Sequence, residues 1–220
     1  MMPSLRKLRF EDEQGNPGFR AQLKEQRWDD HRYYHHDLIN QSLHFVSACT
    51  FITAYALLFV DAALASLLAW GVAMTSRQAG HFFFEPRDYD EENGVSHEYK
   101  EEVKVGYNLM RKYVLMGLWL AIPVVLALSP TLFGALERPE GAMDFLRHVG
   151  FGWLFFGVAA ILFRVGQLWI ERDLETGIVW ATKIVTDPFS DFRLYRGAPR
   201  RLLNGERMDH PEEAPLSRSA

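Results

Sequence analysis

Cysteine is nearly absent from this chain of 220 residues. The single one, Cys49, lies inside an apolar run, which excludes a disulfide framework. Basic excess is missing too. The formal net charge is −4 and no basic patch is interleaved with aromatics, so nothing favours a nucleic-acid partner. Residues 1–36 are charged and contain no apolar core ahead of a small-residue cleavage site. Any membrane attachment is therefore expected from internal spans. Charge itself is absent from long stretches. The mean hydropathy of −0.13 averages these stretches with charged ends and one charged central segment.

The uncharged stretches set the expected architecture: an all-α integral membrane protein with four transmembrane helices, at about 39–60, 62–84, 110–130 and 149–170. From Gln41 to Val60 there is no charged residue. Such a run covers about 30 Å as a helix, the thickness of a hydrocarbon core. Asp61 then suits an N-cap for the next helix, so the first two spans form an antiparallel hairpin. The third run carries Pro123, which would kink or end it. The fourth is apolar except for Arg164 and Gln167. A soluble helical bundle would show polar stripes at a 3.6-residue period, and the central parts of the first two runs do not.

The remaining segments are polar. Residues 1–32 read as a soluble arm, either with a short amphipathic helix ending near Trp28 or as a disordered tail. Residues 86–107 are strongly acidic, and Asn93-Gly94 signals a turn within them. Residues 172–203 read as an interfacial amphipathic segment in which Thr186-Asp187-Pro188 ends a helix. Residues 204–220 read as a disordered tail. Lys and Arg number seven in residues 1–36, eight from Arg172 onward and five in 86–112, against two (Arg138, Arg147) in the third loop. By the positive-inside rule both termini are cytoplasmic, and the expected location is a bacterial inner membrane.

Histidines gather at the open end of the hairpin. His35, His36 and His44 lie at the start of the first span, with Asn40 between them, and His81 and Glu85 at the end of the second. Folding the chain at residues 60–61 sets residues whose numbers sum to about 121 level with one another. His81 then stands beside Asn40, Glu85 beside His36, and His44 near Arg77. Imidazoles with a carboxylate suit Fe(II), Zn or Cu, and an open facial arrangement favours oxygen chemistry on iron. His36 and His44 are about 12 Å apart on a straight helix, too far to share an ion held at about 2 Å. His35 and His44, nine apart, would point to opposite faces. Either the helix breaks between Asp37 and Asn40, the favoured expectation, or one of the early histidines serves a second role. His97, in the acidic segment, is a further candidate ligand. Arg77 and Arg164 are snorkelling cations or holders of a substrate carboxylate.

Tyr34-His35-His36-Asp37-Leu38-Ile39-Asn40-Gln41-Ser42-Leu43-His44 resembles the opening motif of the family of the fungal 2-hydroxy fatty acid dioxygenase. There a Tyr-His pair is followed by an asparagine and, four residues later, a histidine. Gly80-His81-Phe82-Phe83-Phe84-Glu85 resembles its second motif, Gly-His, three residues, then Glu. The resemblance covers about residues 33–87. It implies an Fe(II)-dependent dioxygenase of small multi-span form that takes dioxygen and a 2-hydroxy fatty acid or related fatty-acyl lipid, releases one carbon and leaves an odd-chain acid. By position it implies roles for His35, Asn40, His44, His81 and Glu85. Histidines would hold the iron, Glu85 would be a ligand or orient one, and Asn40 would position a ligand or dioxygen. Two other classes fit the same residues. One is a zinc or iron lipid hydrolase or hydroxylase; the other is a non-enzymatic membrane scaffold whose histidines are packing and belt residues.

Overall fold

Asp37 starts the central helix. Its carboxylate accepts from the backbone N–H groups of Ile39 at 2.6 Å and Asn40 at 3.3 Å, two of the donors that a helix start leaves without intrahelical partners. Helix α2 (Leu38–Leu57) follows, and α1 (Phe19–Tyr34) precedes it. The computed structural model describes residues 18–85 and 109–209, and among them it contains helices and no strand. His97 and the acidic segment lie outside the described residues, as do residues 1–17 and 210–220.

The chain turns directly after α2. Asp61 caps α3 (Ala62–Leu68), accepting from Leu64 N–H at 3.1 Å, as its isolated position between two apolar runs suggested. A π-helical turn, Ala69–Met74, joins α3 to α4 (Thr75–Phe83) without a break. The hydroxyl of Thr75, the residue just after it, donates to the Trp70 carbonyl at 3.1 Å. Such turns take one residue more than a regular helical turn. Then come α5 (Leu109–Leu128), α6 (Ala142–Glu171), α7 (Leu174–Tyr195) and the short α8 (Ala198–Leu203). Helix α5 runs through Pro123 rather than ending there.

Small residues bring the helices together. A Cβ on Gly150 of α6 would lie 2.5 Å from the Ala63 carbonyl, so α3 and α6 pack backbone against backbone there. Further along, Trp70, Trp119 and Trp153 form an aromatic column joining α5 and α6 to the π turn, with centroid separations of 6.4 and 5.5 Å. Trp153 Nε1 donates to the Trp119 carbonyl at 3.0 Å. These contacts leave large apolar side chains facing outward: Phe155 is 78% exposed and Phe163 74%. Polar groups are buried instead, among them Asn40, Gln41 and His44.

Among the described residues one helix, Ala142–Glu171, is long and apolar enough by itself to cross a membrane, and Tyr113–Leu128 is a shorter apolar helix. The first two expected spans are helical over nearly the expected bounds. Their hydropathy is diluted by the polar residues that α2 and α4 carry into the interior.

Within the expected amphipathic segment 172–203, α7 packs along α2, α6 and α1, burying Val179, Lys183, Asp187, Asp191 and Tyr195. Two other expectations for the C-terminal part differ from the structure. Pro188 sits inside α7 rather than ending a helix at Thr186-Asp187-Pro188. Its ring removes one N–H, and the packing on both flanks of α7 outweighs that loss. Residues 204–209, expected as part of a disordered tail, are instead held against the start of α2, where Met208 pairs antiparallel with Asp37.

Candidate metal centre

The helix break lies two residues before its expected place, and this decides the site. Because the Asp37 side chain caps α2, helix begins at Leu38 and the irregular residues must precede it. His35 has φ −123° and ψ 49°, and Asp37 is extended. The chain folds back through His35 and His36, so His35 no longer follows the α2 screw. Its ring lands 4.0 Å, centroid to centroid, from that of His44. His81 of α4 closes the group, 4.8 Å from His44 and 5.5 Å from His35. One ligand atom from each of the three lies within 4.8 Å of the others. Nitrogens held at about 2.0–2.1 Å from a tetrahedral ion stand about 3.3 Å apart, so small side-chain rotations bring them onto one ion.

Each imidazole has its other side fixed by a different group. His35 Nδ1 is hydrogen-bonded to the Tyr195 hydroxyl at 2.7 Å. His44 Nδ1–H donates toward the Asp191 carboxylate at 3.4 Å, and His81 Nδ1–H donates to Glu85. Metal-binding histidines characteristically give one ring N–H to a carboxylate or another acceptor, which fixes the tautomer and presents the second nitrogen to the ion. Here that second nitrogen is Nε2 in all three. Glu85 is buried, and its Oε1, bonded to His81, also lies 4.0 Å from His35 Nε2.

Hairpin register is as level-matching proposed. A Cβ on Gly80 would overlap Asn40 Oδ1 and come within 3.4 Å of His44 Cδ2, so Gly80 is the gap that admits Asn40 between the helices. Glu85 Oε1 also lies 4.0 Å from His35 Nε2. His36 is buried beside the group without being part of the triad, and its backbone carbonyl accepts from Asp209 N–H at 2.7 Å. Arg77 bonds Asp191 at 2.9 Å and approaches Asp187 at 3.6 Å. Arg164 bonds along its own helix, to Gln167 at 2.8 Å and toward Glu171 at 3.6 Å.

Helix α7 supplies groups that no sequence motif marks. Lys183, Asp187, Asp191 and Tyr195 recur every fourth residue, which puts them on one helical stripe. All four are buried. Lys183 Nζ bonds Asp187 at 2.6 Å, Arg27 of α1 stands 3.6 Å from Asp187, and Asp191 joins Arg77 to His44. A charged stripe on a helix is ordinarily the solvated face; the spacing was visible, but its side was not. Burial pushes the Tyr195 phenol well above its usual range, and the nearby Asp191 charge adds to the rise. Tyr195 therefore stays a neutral hydroxyl beside His35.

No family model, curated protein or solved structure matches the chain.

Proposed function

We propose that this chain is a membrane-embedded metalloenzyme in which His35, His44 and His81 hold Fe(II), and that it oxygenates a 2-hydroxy fatty acid or related lipid. The observation that carries this reading is the triad itself: three imidazoles from three places in the sequence, each with Nδ1 engaged by a separate partner. A bundle that needed these histidines only for packing would have no reason to orient all three toward one point. The choice of iron and of substrate rests on the resemblance of the 34–44 and 80–85 motifs to the fatty acid dioxygenase family. Bound Fe(II) would supply the redox chemistry that dioxygen requires.

The protein's own groups have separable tasks in this scheme. Glu85 holds the His81 ring and Asp191 the His44 ring. Tyr195 holds His35, and Asn40, seated against Gly80, fixes the spacing of α2 and α4 beside the triad. Four spans, formed by α2, the α3–α4 pair, α5 and α6, would surround the acyl chain with apolar surface. Outward-facing Phe155, Phe163 and their neighbours support that membrane setting. The Lys and Arg distribution supports a cytoplasmic position for both termini and for the triad, in a bacterial inner membrane.

Metal analysis of the purified chain tests the reading. Iron near one per chain is expected, with loss of the metal in His44→Ala and in His81→Ala. Oxygen uptake dependent on added 2-hydroxypalmitate, with loss of one carbon, would establish the reaction. Full metal retention in both variants would sink the proposal. Bound zinc without oxygen demand would move the site to the hydrolase class.

A further inference from the structure

His35 is the one member of the triad that no helix carries. His44 is fixed by α2 and His81 by α4, but His35 sits in the irregular link between α1 and α2. Its position must be set by other bonds. Beyond the Tyr195 bond to its ring, one comes from Gln41, which is 2% exposed. Its Nε2 donates to the His35 carbonyl at 2.8 Å and to the Asp209 carboxylate at 2.9 Å. A carboxamide has two N–H donors, so one group ties the link to the C-terminal segment. The backbone makes the same connection twice more. Asp209 N–H donates to the His36 carbonyl at 2.7 Å, and Leu38 N–H donates to the Arg207 carbonyl at 2.9 Å. The segment is itself braced: Arg201 donates to Asp209 at 2.6 Å and to Glu206 at 2.7 Å.

We infer that Arg207–Asp209, acting with Gln41, is the positioning element that holds His35 in ligating geometry, so metal affinity depends on the docking of this C-terminal strap. The inference rests on the metal-site reading above and adds a means of controlling it. When the strap is docked, the link is bonded on both sides and His35 meets His44 and His81. When it lifts, the His36 and Leu38 backbone groups lose their partners and Gln41 loses one of its two acceptors. The link then keeps only the Gln41 bond to the His35 carbonyl and the Tyr195 bond to the His35 ring, and His35 is less firmly held against His44 and His81. Gln41 and Asp209 act through His35 rather than on the metal, so they are positioning residues.

Co(II) serves as the probe, titrated into the full-length protein in detergent against a competing chelator, with its visible ligand-field spectrum recorded. Gln41→Glu keeps the shape of the side chain but replaces donors with acceptors facing the His35 carbonyl and the Asp209 carboxylate. Asp209→Ala removes the carboxylate and keeps the backbone bond, so the fold has a second, milder challenge. Both should bind Co(II) more weakly, by about 10–100-fold for Gln41→Glu and less for Asp209→Ala. The spectrum should change at unaltered helicity; a purely structural role would not alter the ligand field of the bound ion. Wild-type affinity and spectrum in both variants, with Co(II) bound normally by the parent, would overturn the strap and leave the metal site standing. Failure of the parent itself to bind Co(II) would overturn both.

Discussion

Asp37 and Asp61 do the same local job at opposite ends of one hairpin, each accepting N–H bonds at the start of a helix. Their surroundings differ. Around Asp37 the chain has gathered His35, His36, Gln41 and the C-terminal strap, and the neighbouring polar groups are buried. Around Asp61 the turn is open: Phe59 is 93% exposed, and Asp61 has an outside partner in Arg147, at 2.6 Å. The capping motif is common to both ends, so it is not what makes a site. What separates them is a second tier of partners from α7 and residues 206–209, present at one end only. That tier holds the three histidines together at one end of the hairpin.

The contrast can be broken most severely at Gly80. Gly80→Ala puts a methyl where Asn40 Oδ1 stands, and overpacking of this kind costs about 1–3 kcal/mol. Thermal unfolding should show the loss, and metal binding should fall with it because His44 lies against the same position. A smaller and more selective effect is expected from Asp191→Asn. It keeps the volume but removes the charge that orders His44 Nδ1–H and Arg77, and metal affinity should drop by about tenfold or more. Competition titration against a chelator measures this, and an unchanged affinity would mean that α7 only packs against the site.

Weakest of all should be Asp61→Asn at the turn, with metal binding untouched. The Arg147 hydrogen bond, with help from Leu64 N–H, lowers the Asp61 pKa in the folded chain. Ionised Asp61 therefore favours the fold above the unfolded carboxylate pKa of about 4. That contribution is lost as pH falls from there through the lower folded value. Melting curves of wild type and Asp61→Asn should differ at neutral pH and converge in acid. If Asp61→Asn changed the metal affinity, the two ends would not be independent.

Much of the hairpin was legible because it depends on local rules. Uncharged length marked α2 and the run after it, and Asp61 announced a cap. The sum rule set α2 against α4 to within a residue, as Gly80 facing Asn40 records. The place of the break was legible in principle too: Asp37 as an N-cap requires it to come before Leu38, not after. The contribution of α7 was not legible. Asp187 read as part of a helix-ending turn and Asp191 drew no notice, because nothing local says which face of an amphipathic helix is turned inward. Only the packing of α7 on α2 decides that, and it joins residues such as His44 and Asp191 that are 147 apart in sequence. The strap was hidden for the same reason, since a polar run after residue 204 gives no sign that Asp37 will pair with it.

The π turn at Ala69–Met74 bears on how the second motif is aimed. Each helical residue advances the chain by about 100° around the axis and 1.5 Å along it. The additional residue in that turn therefore fixes the azimuth of everything after it, Gly80, His81 and Glu85 together. Deleting one residue between Ala69 and Met74 would restore regular winding while leaving every motif residue intact. It would swing His81 about a quarter-turn from His35 and His44. The aim of the second motif is thus encoded a full two turns upstream, in an apolar stretch that bears none of the chemistry.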